Sequence, residues 1–283
     1  MKIVIFDLDE TLGYFTQFGI LWDCLNKYLC KNNTNNNIIL NQTIFNNILN
    51  LYPEFIRPNI INILKYLVHQ KKTLSCEKVM IYTNNQGPKE WVNNITKYFE
   101  NEINYSLFDQ IISAFKQNGK IIEICRTTSS KTHKDLIKCT KIPKNTEICF
   151  IDDSFYSEMT NDNIYYIIIK PYYYDLKIEA MVERLINSKI LNDFIIDINE
   201  FQDYIITNYK KYNYHFFLKS KEEYEIDKIL GRQIMTHLDF FFNKPDNSDK
   251  IDKVDKTNEK KINKTKKNKV SKNKTKKNYS SSR

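Results

Sequence analysis

The chain opens on a run that leaves little choice of fold: Lys2-Ile3-Val4-Ile5-Phe6 leads directly into Asp7-Leu8-Asp9-Glu10-Thr11-Leu12. A short apolar, β-branched run of this kind predicts a buried strand. In open α/β sheets, chemistry gathers outside the carboxyl ends of the strands. There this sequence sets two carboxylates at i and i+2, followed by a hydroxyl. Such hard oxygen donors suit Mg²⁺, and a carboxylate there can also act as nucleophile or proton carrier. The competing reading is an acidic turn exposed after an edge strand.

Three downstream segments extend the pattern. Lys78-Val79-Met80-Ile81-Tyr82 reads as a second strand and ends in Thr83-Asn84-Asn85-Gln86-Gly87. Ser129-Ser130-Lys131-Thr132-His133-Lys134-Asp135-Leu136 sets two lysines at a helix-like segment. Glu147-Ile148-Cys149-Phe150-Ile151 is a third strand and ends in Asp152-Asp153-Ser154. Acid pair, hydroxyl, lysine, acid pair, all but the lysine at strand ends, resembles the haloacid dehalogenase superfamily of phosphohydrolases. The resemblance covers about residues 1–175. It implies an α/β fold: a three-layer α/β/α Rossmann-like core built on a parallel sheet.

A phosphate monoester repels its attacker because it is a dianion, and enzymatic accelerations of its hydrolysis reach ~10²¹-fold. Positive charge must cancel that repulsion. Asp7 and Asp153, with Asp152 as a third candidate, are expected to hold Mg²⁺ against a phosphoryl oxygen. The resemblance adds the backbone carbonyl of Asp9 as a further ligand. Thr83 and Asn84 are expected to bind phosphoryl oxygens, and a lysine to neutralise the remaining charge. Asp7 would become an aspartyl-phosphate. Asp9 would protonate the leaving alcohol and then deprotonate the attacking water. Lys134 is the expected catalytic lysine, because Lys134-Asp135-Leu136 resembles the Lys-Asp-Leu of phosphatases that act on the RNA polymerase II C-terminal domain. Lys131, one helical turn earlier, is the alternative and is read as substrate-binding.

Charge divides the chain. Residues 245–283 carry 14 Lys/Arg against 5 Asp/Glu, whereas residues 1–244 carry 29 of each sign. The tail has almost no apolar side chains to bury and is expected to be disordered. It reads either as a solubilising low-complexity end or as a nuclear-localising or nucleic-acid-tethering arm without sequence preference. The six cysteines show no Cys-x-x-Cys pair and no zinc spacing. Cys125 and Cys149 lie in apolar runs and read as small buried hydrophobes. A reducing, intracellular compartment, cytoplasmic or nuclear, is the expectation that follows. No signal peptide is expected ahead of a strand that begins within the first residues, and no apolar stretch approaches the ~20 residues needed to span a bilayer.

The rest of the core is periodic. Phe55–Gln70 carries Ile60, Ile63, Leu64 and Leu67 at helical spacing and is the expected crossover helix. Arg57-Pro58-Asn59 at its start resembles the Arg-Pro-Gly of the polymerase-tail phosphatases. Residues 13–52 are then a cap-like insertion. Phe18, Leu21, Trp22, Leu25, Tyr28 and Leu29 mark one helical face, Asn32–Asn37 a loop, and Ile44, Phe45, Ile48 and Leu49 a second face. This predicts a helical hairpin able to lean over the site, although such aromatic stripes are ordinarily core. Pro88 opens a helix through Trp91, Ile95 and Phe99; Phe108–Ala114 and Ile164–Ile169 are further strands. Residues 176–244 are expected to form a helical extension packed on the core.

The resemblance implies a phosphorylated substrate. Asp-Leu-Asp-Glu-Thr-Leu, Arg-Pro, Lys-Asp-Leu and Asp-Asp-Ser favour phosphoserine or phosphothreonine in protein. Thr83-Asn84-Asn85-Gln86-Gly87 is instead similar to the Thr-Asn-Gln-x-Gly of polynucleotide and sugar phosphatases, which keeps a polynucleotide 3′-phosphatase or a small-molecule phosphatase open. A non-catalytic phosphopeptide- or nucleic-acid-binding module would be marked by a lost nucleophile or metal acid, and Asp7, Asp9, Asp152 and Asp153 are all present.

Overall fold

The computed structural model describes residues 1–32 and 40–244. Along the chain, β1 (Lys2–Phe6) is followed by α1 (Thr16–Asn32), α2 (Gln42–Leu49), α3 (Ile60–Lys72), β2 (Lys78–Tyr82), α4 (Lys89–Ile103) and β3 (Phe108–Ile112). A small antiparallel hairpin, β4 (Lys116–Gln117) and β5 (Lys120–Ile121), leads to α5 (His133–Thr140), β6 (Glu147–Asp152) and β7 (Ile164–Ile168). Then come α6 (Ile178–Ser188), α7 (Ile198–Lys210) and α8 (Lys221–Asn243).

The five long strands form one parallel sheet in the order β3-β2-β1-β6-β7. The fold is therefore α/β and Rossmann-like, as the sequence predicts. The central strands β1, β2 and β6 are apolar on both faces because each face lies under other structure. Val4 and Phe6 point into the larger core with Val79, Ile81, Cys149 and Ile151. Ile3 and Ile5 point the other way, with Met80, Tyr82, Ile148 and Phe150. The two layers are unequal. The larger core is covered by α1–α4 and α6–α8, whereas the smaller is closed by Leu136 of α5, Ile142 and Met159.

The insertion and the extension belong to this larger layer. Phe18, Leu21 and Leu25 of α1 and Phe45 and Ile48 of α2 are fully buried. α1 packs on α7, α2 on α4 and α6 on α7. Met1–Phe242 form one compact unit, so the helices after residue 175 share one body with the sheet. α8 approaches the Pro58 turn so closely that a side chain at Gly231 would collide with the Pro58 carbonyl. Asn59 Nδ2 donates to Gly231 O across that contact at 3.1 Å.

Two boundaries differ from the periodic reading. The crossover helix begins at Ile60, because Pro58 disfavours helical backbone at Arg57 and Asn59 turns left-handed at φ 70°. Pro53–Phe55 instead form a single 3₁₀ turn. β3 stops at Ile112, where the chain turns off toward the β4–β5 hairpin. The Asn-rich loop from residue 33 and the basic tail from residue 245 lie outside the described residues.

Candidate active site

The chain runs from β1 to β2 on one side and later returns to β6 on the other, so the sheet's switch point lies between β1 and β6. Open α/β sheets bind ligands at such a crevice. Asp7 follows β1, Thr83 follows β2, and Asp152 ends β6. Backbone pairing fixes two of these: Asp7 N donates to Ile151 O at 2.9 Å and Thr83 N to Ile112 O at 3.0 Å.

Lys131 brings the acids together. Its ammonium, 1% exposed, donates to Asp7 Oδ1 and to Asp152 Oδ2, each at 2.6 Å. It also lies 5.3 Å from the Tyr156 ring centre and 5.9 Å from those of Tyr82 and Phe150. Burial works against the charge, but Asp7 and Asp152 outweigh it and hold the lysine above its usual range. Thr132 explains the placement: its Oγ1 accepts from Asp135 N at 3.0 Å and caps α5, so Lys131 precedes the helix beside the strand ends.

Lys134, the lysine expected in this role, is instead exposed on the outer side of α5. The buried face of that helix carries Asp135, Leu136 and Thr140, which leaves no room for Lys134 to turn inward. Asp135 anchors the preceding loop, accepting from Thr127 N at 2.8 Å and Thr127 Oγ1 at 2.9 Å.

The remaining expected residues line the same crevice. Thr11 Oγ1 donates to Asp153 Oδ1 at 3.2 Å, and Asp152 Oδ1 accepts from Ser154 N at 2.8 Å. Asn85 N donates to Thr83 Oγ1 at 3.0 Å, while Asn85 Nδ2 donates to Asp9 Oδ2 at 2.7 Å. Asn84 Nδ2 donates to the Tyr156 hydroxyl at 3.1 Å. Carboxylate oxygens of Asp7, Asp152 and Asp153 lie within 4.8 Å of one another.

One ammonium thus faces several carboxyls, and the imbalance shows in their proton affinity. Burial pushes Asp9 up to about 6, with the Asn85 hydrogen bond pulling it down and Asp7 adding to the rise. Burial, followed by Asp9, Asp153 and Asp7, takes Glu10 up to about 8. Asp152 rises to about 7 through burial, against the pull of Lys131. Asp153 is raised by burial and by Asp7. A cluster of hard oxygens with surplus negative charge fits a divalent cation such as Mg²⁺.

Several residues here carried no signal in the sequence reading. Arg126 is buried and ties the mouth together, donating to Thr83 O at 3.0 Å, Ser113 O at 2.9 Å, Asn84 Oδ1 at 2.8 Å and Ser129 O at 3.0 Å. It sits between the apolar run ending at Cys125 and the polar Thr127-Thr128-Ser129-Ser130, where no period marks it. Arg57, singled out only as part of Arg-Pro-Asn, is buried and donates to the carbonyls of Thr11 (2.6 Å), Lys170 (2.9 Å) and Glu10. It clamps the acidic loop, whose Glu10 adopts a left-handed φ of 54°.

The cysteines require a correction. Cys125 is half-buried and forms a disulfide with Cys139 of α5, with Cα atoms 5.0 Å apart. Sequence gave no hint because the partners lie 14 residues apart on different elements. The bond contradicts the reading of Cys125 as a free buried thiol and weighs against a reducing compartment, for which the cysteines were only part of the ground. Cys149 is buried as expected. Among the described residues, no helix is long and apolar enough to cross a membrane. No protein-family model, curated protein or solved structure matches this chain.

Proposed function

We propose that the protein is a Mg²⁺-dependent phosphomonoester hydrolase of the haloacid dehalogenase type, working through a phosphorylated Asp7. The observation that carries this reading is Lys131 bridging Asp7 and Asp152 beside Asp153, at the carboxyl ends of the central strands. Asp152 is engaged by Lys131 and by Ser154 N, which suits it to anchoring the lysine. Asp7 and Asp153, with the Asp9 carbonyl, would hold the cation. Bound there, Mg²⁺ would supply the positive charge that lets a carboxylate approach a phosphate dianion.

The side chains divide the rest of the work. Lys131 neutralises charge on the phosphoryl group and steadies Asp7. Thr83 and the amides of the following loop orient phosphoryl oxygens. Asp7 attacks phosphorus, and the bond to the leaving oxygen breaks as that oxygen takes the proton from Asp9. Asp9, now ionised, removes a proton from water; the water oxygen attacks phosphorus and releases Asp7. Burial holds the Asp9 carboxyl above the usual carboxylate range, which favours its protonated form for the first step. The 2.7 Å bond from Asn85 holds Asp9 in one orientation for both steps.

The proposed substrate is phosphoserine or phosphothreonine in protein. The helical insertion is packed into the core through Phe18 and Phe45, and residues 1–244 bear equal numbers of each charge. A body without net charge, whose described insertion helices pack into the core, suits a polypeptide better than a polynucleotide. The test is Mg²⁺-dependent phosphate release from a phosphoserine peptide and a 3′-phosphorylated oligonucleotide, with a small chromogenic phosphate as reference. Asp7→Asn is expected to abolish release from all three while retaining the native circular dichroism spectrum. Near-normal turnover by that variant would refute the proposed nucleophile, and preference for the oligonucleotide would refute the proposed substrate.

A further inference from the structure

Next to the carboxylate cluster lies a second concavity that the hydrolytic reading leaves unused. It measures about 550 Å³, within the range of ligand pockets. Glu10 forms one wall, so the cleft adjoins the proposed catalytic acids directly. Tyr14, Tyr173, Tyr174 and Phe217 supply aromatic surface, and Asp175 and Glu223 add two more carboxyls.

The one basic residue in the lining, Lys219, is already neutralised. Its ammonium pairs with the buried Asp227 and sits over the rings of Tyr172 at 4.4 Å and Tyr173 at 5.3 Å. The same aromatic wall therefore already holds one ammonium. Asp175 is fixed by the Tyr214 hydroxyl at 2.5 Å and by Phe217 N at 2.7 Å, which braces a carboxylate at the cleft in one position. Glu223 is exposed and accepts from Ser220 N at 2.9 Å at the start of α8. Aromatic faces with carboxyls and no unpaired base select a cation: electrostatic attraction to the ring faces and to the acids acts in the same direction.

We propose that this cleft receives a lysine or arginine side chain of the substrate, so that the protein acts on phosphoserine or phosphothreonine flanked by basic residues. The inference rests on the phosphatase reading of the adjoining acids. A peptide is favoured over a compact amine ester because, among the described residues, the helices of the insertion pack into the core through Phe18 and Phe45, and the cleft adjoins the acids through Glu10.

The experiment uses the full chain with Mg²⁺. Rates are compared on two phosphoserine peptides that differ only in arginine or alanine around the phosphoserine, on phosphoethanolamine, and on a chromogenic phosphate. A preference of about tenfold in kcat/KM for the arginine peptide is expected, given one cation–π contact and one partly exposed ion pair. Phe217→Ala and Glu223→Gln should each reduce that preference about threefold or more. Phe217 is 69% exposed and Glu223→Gln retains an acceptor for Ser220 N, so both variants should fold. Equal rates on the two peptides, or a preference that neither variant changes, would overturn the inference and leave the phosphatase reading standing. Faster turnover of phosphoethanolamine than of the arginine peptide would overturn the assignment to a peptide. Absence of turnover on every substrate would overturn both readings together.

Discussion

Lys131 occupies a position that only its two carboxylate partners make tolerable. Removing one member of a buried ion pair leaves the other charge uncompensated, at a cost of about 3–5 kcal/mol. Lys131→Ala is therefore expected to lose turnover and to lower the urea midpoint sharply. Lys134→Ala, on an exposed site, is expected to stay within about 0.5 kcal/mol of wild type and to keep its turnover. Parallel denaturation and activity measurements on the two variants decide which lysine serves the acids. The residues themselves explain why sequence reading misassigned this one. Asp7 and Thr83 follow strands, and Asp152 ends one, whose limits the apolar runs mark, so their meeting could be read from order alone. The lysine's direction depends on where α5 begins, and that is set by the Thr132 cap. Asn85 and Arg126 act through hydrogen bonds to residues at separations in sequence that no periodicity reports.

α5 is the element on which the site most depends, because it follows Lys131 directly and carries Cys139. The disulfide closes a loop of about the size for which chain-entropy models give ~3 kcal/mol. Cys125→Ala is expected to reduce stability by about 2–3 kcal/mol in non-reducing buffer. Wild type in excess dithiothreitol should fall to the same level, and a reductant-insensitive melting curve would contradict the bond. The long strands and amphipathic helices were legible because a period of 2 or 3.6 persists for several turns. The β4–β5 hairpin was not, since two-residue strands have no period. Its signal lay in Asn118-Gly119, both at positive φ (49° and 77°), a pair that favours tight hairpins. The Arg57-Pro58-Asn59 turn moved the start of α3 for a similarly local reason.

At the scale of the molecule, surplus negative charge at the switch point is the main electrostatic feature of a body that is otherwise balanced. A cation bound there stabilises the folded chain by mass action, about 2.7 kcal/mol at a hundred times its dissociation constant. Mg²⁺ is expected to raise the melting temperature, chelator to reverse the rise, and Asp153→Asn to abolish it; scanning calorimetry provides the check. The α/β architecture was readable from the strand and helix order, whereas the joining of insertion and extension into one layer was not. That joining depends on which apolar faces meet in space, as α1 meets α7.

The unequal covering of the sheet has a kinetic meaning. With Leu136, Ile142 and Met159 closing one face, undocking α5 exposes far less apolar surface than opening the opposite layer. Native chains should therefore visit a partly opened form in which Lys131 leaves Asp7 while the sheet and thick layer persist. Backbone amides of α5 are expected to exchange with deuterium well before those of β1. Activity should also fade at denaturant concentrations too low to unfold the whole chain. The thinner layer would then act as the molecule's fuse, disconnecting the chemistry before the scaffold fails.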